Sequence, residues 1–146
     1  MSTNLDLARE FGKAVSEMRN NMRRFLQAKI KEQQLDISFE LLEVMALLWQ
    51  KDGVNQQELA DAIVKDKSSM VYLIDGLIKH QLITKEEDEN DRRNKLIFLT
   101  KKGKQLQKKL SPWIVEMYEK ATGSVSETEL KKAMTLVNKI NEGLQQ

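Results

Sequence analysis

The chain has 146 residues, of which 40% are hydrophobic and 32% charged, with a net charge of +2, one histidine and no cysteine. That length suits one domain, or one domain with helical extensions, of ordinary globular composition. Disulfides and thiol-based sensing are excluded, the lone His80 excludes most histidine-built metal sites, and so weak a net charge leaves any nucleic-acid surface to local clustering. There is no Gly-rich phosphate loop and no pair of carboxylates in an apolar setting, so an enzyme is not expected, nor a metal or cofactor. No 18-residue apolar run and no signal-peptide core occur, which points to a cytoplasmic protein without membrane contact.

From Leu5 to about Glu32, apolar residues recur at Leu7, Phe11, Val15, Met18, Met22, Phe25, Leu26 and Ile30. The steps of three and four up to Phe25 predict one long amphipathic helix. Ser38 can cap a second helix whose apolar residues (Phe39, Leu41, Leu42, Val44, Met45, Leu47, Leu48 and Trp49) nearly surround it, as befits a central core helix. Gly53 marks its end, and Val54 is placed to pair as a short strand.

Asn55 and Glu58 have capping-box spacing, and Leu59, Ala60 and Ile63 form one apolar face of a short helix. Asp66 is a second cap candidate. Met70, Leu73, Ile74 and Leu77 follow at i, i+3, i+4 and i+7, which seats another helix on the core and leaves Lys67, Ser68, Ser69, Val71, Tyr72 and Gly76 facing away. Leu82-Ile83-Thr84 and Leu96 to Leu99 read as short strands, with a highly charged connection from Glu86 to Lys95 between them. Helix, turn, helix, then cationic hairpin is the order of a winged helix-turn-helix, and it points to double-stranded DNA. From Lys65 to Lys104 there are ten Lys/Arg against seven Asp/Glu, the acids concentrated at Glu86 to Asp91. Those acids either hold the wing cations or form a solvated loop. His80, near the helix end, is read as a surface or helix-terminus residue.

Thr100 to Gly103 looks like a cap and first turn of another helix, carrying Leu106, Leu110, Trp113, Ile114, Met117 and Tyr118. Pro112 lies inside it, so a kink or break near Lys109-Leu110 is expected. Gly123 ends it. Ser126 and Glu129 have capping-box spacing and open a last helix with Leu130, Ala133, Met134, Val137, Ile140 and Leu144. The first and last helices carry longer apolar stripes than a small winged helix needs. Their simplest use is the shared core of a homodimer, the alternative being a larger monomer core. A dimer would set two recognition helices about one DNA turn (~34 Å) apart on a pseudo-palindromic site.

The order of motifs resembles the MarR family of bacterial transcriptional regulators. It rests on Gln56, Glu58, Leu59 and Ala60; on Ser68 and Ser69; on Leu77 and Leu82; on Asp88, Asp91 and Arg93; and on Leu99, Thr100 and Gly103. The resemblance implies a mainly α fold with a small β-hairpin: an N-terminal dimerisation helix (1–35), a winged helix-turn-helix (36–104) and C-terminal dimerisation helices (105–146), in one integrated domain. It also implies repression as the commoner mode. The chain departs from the family at two corners, with Val64 and Gln81 where glycine is usual. Either the backbone takes another route there or the alignment slips by one residue. Val71 and Tyr72 replace the usual Thr and Arg of the recognition helix, and Asn90 replaces the first wing Arg.

On the DNA face, Gln56 and Gln57 are candidates to clamp phosphates, Lys67 to make a charge contact, and Ser68 and Ser69 to meet phosphate or base edges. Val71 can pack on a thymine methyl. Tyr72 can offer its hydroxyl to phosphate or base, or lie over its own helix, so an A/T-leaning half-site is expected. Arg92, Arg93 and Lys95 are the wing cations, with one arginine alternatively bracing the wing against Asp88 or Asp91. The resemblance further implies a small aromatic or anionic effector between the dimer helices and the winged segment, drawing on Phe11, Met18, Met22, Met45, Trp49 and Trp113, residues that also suit plain core. A winged-helix protein-interaction module is the rival reading, since that fold also serves protein contacts.

Overall fold

The computed structural model describes residues 3–63 and 65–145. Six helices and three strands follow in the order α1 (Asn4–Glu32), α2 (Phe39–Gln50), β1 (Val54–Asn55), α3 (Gln56–Ile63), α4 (Lys67–Lys79), β2 (Ile83–Asp88), β3 (Asp91–Leu99), α5 (Lys101–Thr122) and α6 (Glu127–Leu144). The caps are local chemistry. Ser38, Asp66, Thr100 and Ser126 each accept a backbone N–H from the first turn of the helix they precede, and Ser126 and Glu129 complete a reciprocal box. At Asn55 only half the expected box forms. Its side chain accepts the Glu58 amide at 2.8 Å, while its backbone belongs to β1.

The sheet is antiparallel in the order β1-β3-β2, with Val54 opposite Ile97 and Ile83 opposite Leu99. Around it α2 is central: Val44, Met45 and Leu48 are fully buried against Met70, Ile74 and Leu77 of α4 and Ile97 of β3. A smaller apolar cluster joins Ile30 of α1, Leu42 of α2 and Leu110 of α5. Helix α6 has no buried residue.

Several expectations need correction. The strands reach far into the charged segment, β2 to Asp88 and β3 from Asp91, while Leu82 lies outside them. An antiparallel ladder satisfies its own amides without burial, and Lys95 Nζ meets Glu87 Oε1 at 2.9 Å across it. Gly76 does not face away. A Cβ there would sit 3.3 Å from a Leu41 methyl, so its lack of side chain lets α2 approach α4. Helix α5 runs through Pro112 without a break, the expected interruption at Lys109-Leu110 being absent.

Gln81 resolves one of the two unusual corners. It holds φ +62°, with Gln81 N–H donating to Ile78 O at 2.9 Å and Leu82 N–H to Leu77 O at 3.0 Å. These two bonds make a Schellman close of α4 with Gln81 at its left-handed position. The backbone therefore keeps the glycine route with a glutamine in it, and neither a detour nor a slipped alignment is needed. Gln34 closes α1 in the same way at φ +54°. The Val64 corner lies outside the described residues.

Candidate nucleic-acid interface

Helix α4 is set on the core by Met70, Leu73, Ile74 and Leu77, which fixes what its other side presents. Ser68, Tyr72, Asp75 and Lys79 point outward, flanked by Lys67 and Val71, all exposed. Tyr72 is 79% exposed and Val71 40%, so Tyr72 does not lie folded over its helix. Ser69 is partly committed elsewhere. Its amide donates to Asp66 Oδ1 at 2.7 Å, and with its hydroxyl it holds the Asp66 carboxyl below the usual range. Asp75 shares this outward side, three residues on from Tyr72 and four from Val71, and lies outside the set that the sequence assigns to DNA.

Two of the grooves that flank α4 carry most of the expected residues, and a third, of about 650 Å³ against the α1–α2 connection, is lined by Tyr72, Asp75, Lys79 and His80. Of the first two, one, of about 260 Å³, lies between α3, α4 and the wing, and is lined by Gln56, Gln57, Lys67, Arg93 and Lys95 together with Asn55 and Asn94. The other, of about 580 Å³, separates the starts of α2 and α4 and is lined by Ser68, Ser69, Tyr72 and Lys65. Eight of the ten expected interface residues thus line grooves on either side of one helix, while Val71 and Arg92 line neither. Within α3, Gln57 Nε2 donates to Asp61 Oδ1 at 2.8 Å, which turns that amide along its own helix.

At the wing, Arg93 leans on Asp91, with its amide at 3.0 Å and Nε at 3.4 Å from Oδ1, yet its side chain stays 93% exposed. Asp88 is used differently: it accepts the Asn90 amide and Asn94 Nδ2, each at 3.0 Å. Those bonds hold its carboxyl below the usual range, the Asn90 amide acting most strongly. So the acids at the tip brace the hairpin and one arginine, and Lys95 is paired with Glu87. Arg92 is exposed and forms no ion pair among the described residues. His80 is the C-cap of α4, its carbonyl accepting Lys102 Nζ at 3.0 Å.

The six effector-pocket candidates are not brought together. Trp49 and Trp113 line a cavity of about 130 Å³ between α1, α2 and α5, while Met18 and Met22 line an open groove of about 500 Å³ between α1 and α5. Met45 is fully buried in the core that α2 shares with α4, and half-buried Phe11 lines neither space. The Trp49 indole N–H donates to Gly103 O at 3.0 Å, so its polar edge is already used. Glu43 is the one charged side chain lining the cavity, and it meets Arg19 at 3.2 Å. Among the described residues no group of three His, Asp or Glu is placed to hold a metal, and no helix is long and apolar enough to cross a membrane.

Comparisons with known proteins agree with this geometry. The sequence profile of the MarR family matches residues 37–95. The HTH-type transcriptional regulator BilQ of Clostridium symbiosum is 29% identical over 117 residues, covering 80% of this chain and 81% of that one. A MarR transcriptional regulator from Methanosarcina mazei superposes with a TM-score of 0.78 at 25% identity, over 92% of this chain and 90% of its own. BpsR of Bordetella bronchiseptica, whose DNA binding is regulated by 6-hydroxynicotinic acid, shares the fold at 18% identity and a TM-score of 0.75, over 90% of this chain and 98% of its own. Residues 37–95 match the MarR family, the chain is similar to transcriptional regulators of that family over most of its length, and it is a DNA-binding transcriptional regulator.

Proposed function

We propose that the protein acts as a homodimeric repressor on a pseudo-palindromic operator and is released by a small effector. The observation that carries the dimer is α6. None of its residues is buried, although Leu130, Met134, Leu136, Ile140 and Leu144 are large, apolar and exposed, as are Leu5, Leu7 and Met18 of α1. Burying each such side chain is worth about 1.5–3 kcal/mol, so two copies gain by covering these faces against each other. A two-fold axis through the helices repeats α4 and the wing, which supports a palindromic site.

The effector reading rests on the cavity between α1, α2 and α5, and on the regulation of BpsR by a small aromatic acid. Its lining of Leu26, Ile30, Phe39, Leu42, Trp49 and Trp113 suits one aromatic ring, with Glu43 the charged group at its edge, paired with Arg19. Occupying it presses on α2, which packs on α4. Sedimentation equilibrium tests the dimer. The intact chain is expected at twice its 16.9 kDa mass, with Leu130→Glu and Ile140→Glu together giving a folded monomer of weak operator affinity. A native chain that sediments as a monomer at micromolar concentration would overturn the proposal.

A further inference from the structure

We propose that α4 reads an A·T-containing half-site in the major groove, Val71 packing on a thymine methyl while Asp75 accepts from the amino group of adenine or cytosine and rejects guanine. The inference rests on the reading of α4 as the DNA-reading helix and adds what it selects.

The outward face of α4 limits the chemistry. Between Lys67 and Lys79 there is no Arg, Asn or Gln, the side chains that make two-pronged contacts to guanine or adenine. What α4 offers between its two end lysines, Lys67 and Lys79, which alone could make such a contact to guanine acceptors, is a branched apolar group, a phenol, Ser68 and a carboxylate. Val71 and Asp75 stand four residues apart, hence one above the other on the same side of the helix. A carboxylate only accepts hydrogen bonds. Facing guanine, whose major-groove atoms N7 and O6 are both acceptors, it would be desolvated without a partner. Adenine N6 and cytosine N4 each supply the donor it needs. Thymine alone adds a methyl, and burying a methyl is worth about a fourfold change in binding. Asp75 has no ion pair with Lys79 or any other cation among the described residues, so its carboxylate is not engaged elsewhere.

The test is selection of bound duplexes from a random pool, followed by replacement of thymine with deoxyuridine, which removes only the methyl. Wild-type half-sites should carry thymine beside adenine or cytosine, with guanine depleted at the latter position. One thymine per half-site should, when changed to deoxyuridine, weaken wild-type binding about fourfold and leave Val71→Ala binding unchanged. Asp75→Asn, which can donate as well as accept, should admit guanine. Both side chains are exposed, and the deoxyuridine arm needs no protein variant. Guanine retained opposite Asp75, or a deoxyuridine effect of equal size in Val71→Ala, would overturn the inference. If the selected duplexes still bind selectively and salt-dependently, the operator-binding function survives that loss. If no duplex is enriched, both fall together.

Discussion

Adding one methyl group at Gly103 should unlatch the base of the wing from α5. A Cβ built there lies 2.3 Å from the Leu82 carbonyl oxygen, about 1 Å inside any tolerable contact. Neither side can yield freely. The same carbonyl accepts the Thr100 amide at 3.0 Å, the Gly103 amide donates to Thr100 Oγ1 at 3.1 Å, and the Gly103 carbonyl accepts the Trp49 indole at 3.0 Å. Overpacking costs about 1–3 kcal/mol. Loss of one backbone hydrogen bond adds about 1 kcal/mol. Gly103→Ala should therefore destabilise the chain by about 2–4 kcal/mol. In a chain of this size that lowers the thermal midpoint by roughly 5–15 °C. Circular dichroism melts at fixed protein concentration measure it, since a dimer's midpoint moves with concentration. Gly143→Ala is the control: its Cβ would meet nothing within 4 Å, and its midpoint should hold or rise. A Gly103→Ala protein melting within about 1 °C of wild type would refute the steric account.

Gln81→Gly should raise stability by a few tenths to about 1 kcal/mol in urea titrations, because it removes left-handed strain at φ +62°, whereas Gln81→Val should lower it. Asp66, Asp88 and Glu129 are each held below their usual range, chiefly by the amides they accept. A depressed folded value means that their stabilisation is present above the unfolded pKa, near 4, and is lost as pH falls through the lower folded value. Asp66→Asn keeps a cap without that proton, so amide exchange in the first turn of α4 should depend less on pH below about 4 than in wild type; equal dependence would contradict the assignment. Asn94→Ala removes a bond that closes the wing tip on Asp88, and should weaken operator binding at low salt without moving the thermal midpoint by more than about 2 °C.

The helices were legible because caps and stripes are local. Asp66, Met70, Leu73, Ile74 and Leu77 state the start and buried face of α4 within one window of sequence, and Ser126 with Glu129 does the same for α6. The strand lengths were not. Charged residues from Glu86 to Lys95 carry no burial pattern, and only pairing with the opposite strand reveals them as a ladder. Gln81 could not be placed from its own propensity, because the Schellman bonds that force its φ come from Leu77 and Ile78. The effector candidates fall into separate spaces within one chain for a related reason. Met45 and Trp49, four residues apart on α2, share one side of the helix, but Met45 is fully buried in the winged core while Trp49 packs on both that core and the α1–α5 cluster.

The measurement that bears most directly on the operator claim is a salt series of binding to the genomic fragment the protein enriches, run beside a scrambled duplex, for wild type and Arg92→Ala/Arg93→Ala. Selective binding is predicted, falling steeply with salt, and the double variant should lose up to about 0.9 in the slope of log K against log salt for each phosphate contact removed. Equal binding of both duplexes, or a slope unchanged by losing both arginines, would contradict the placement of α4 and the wing on DNA.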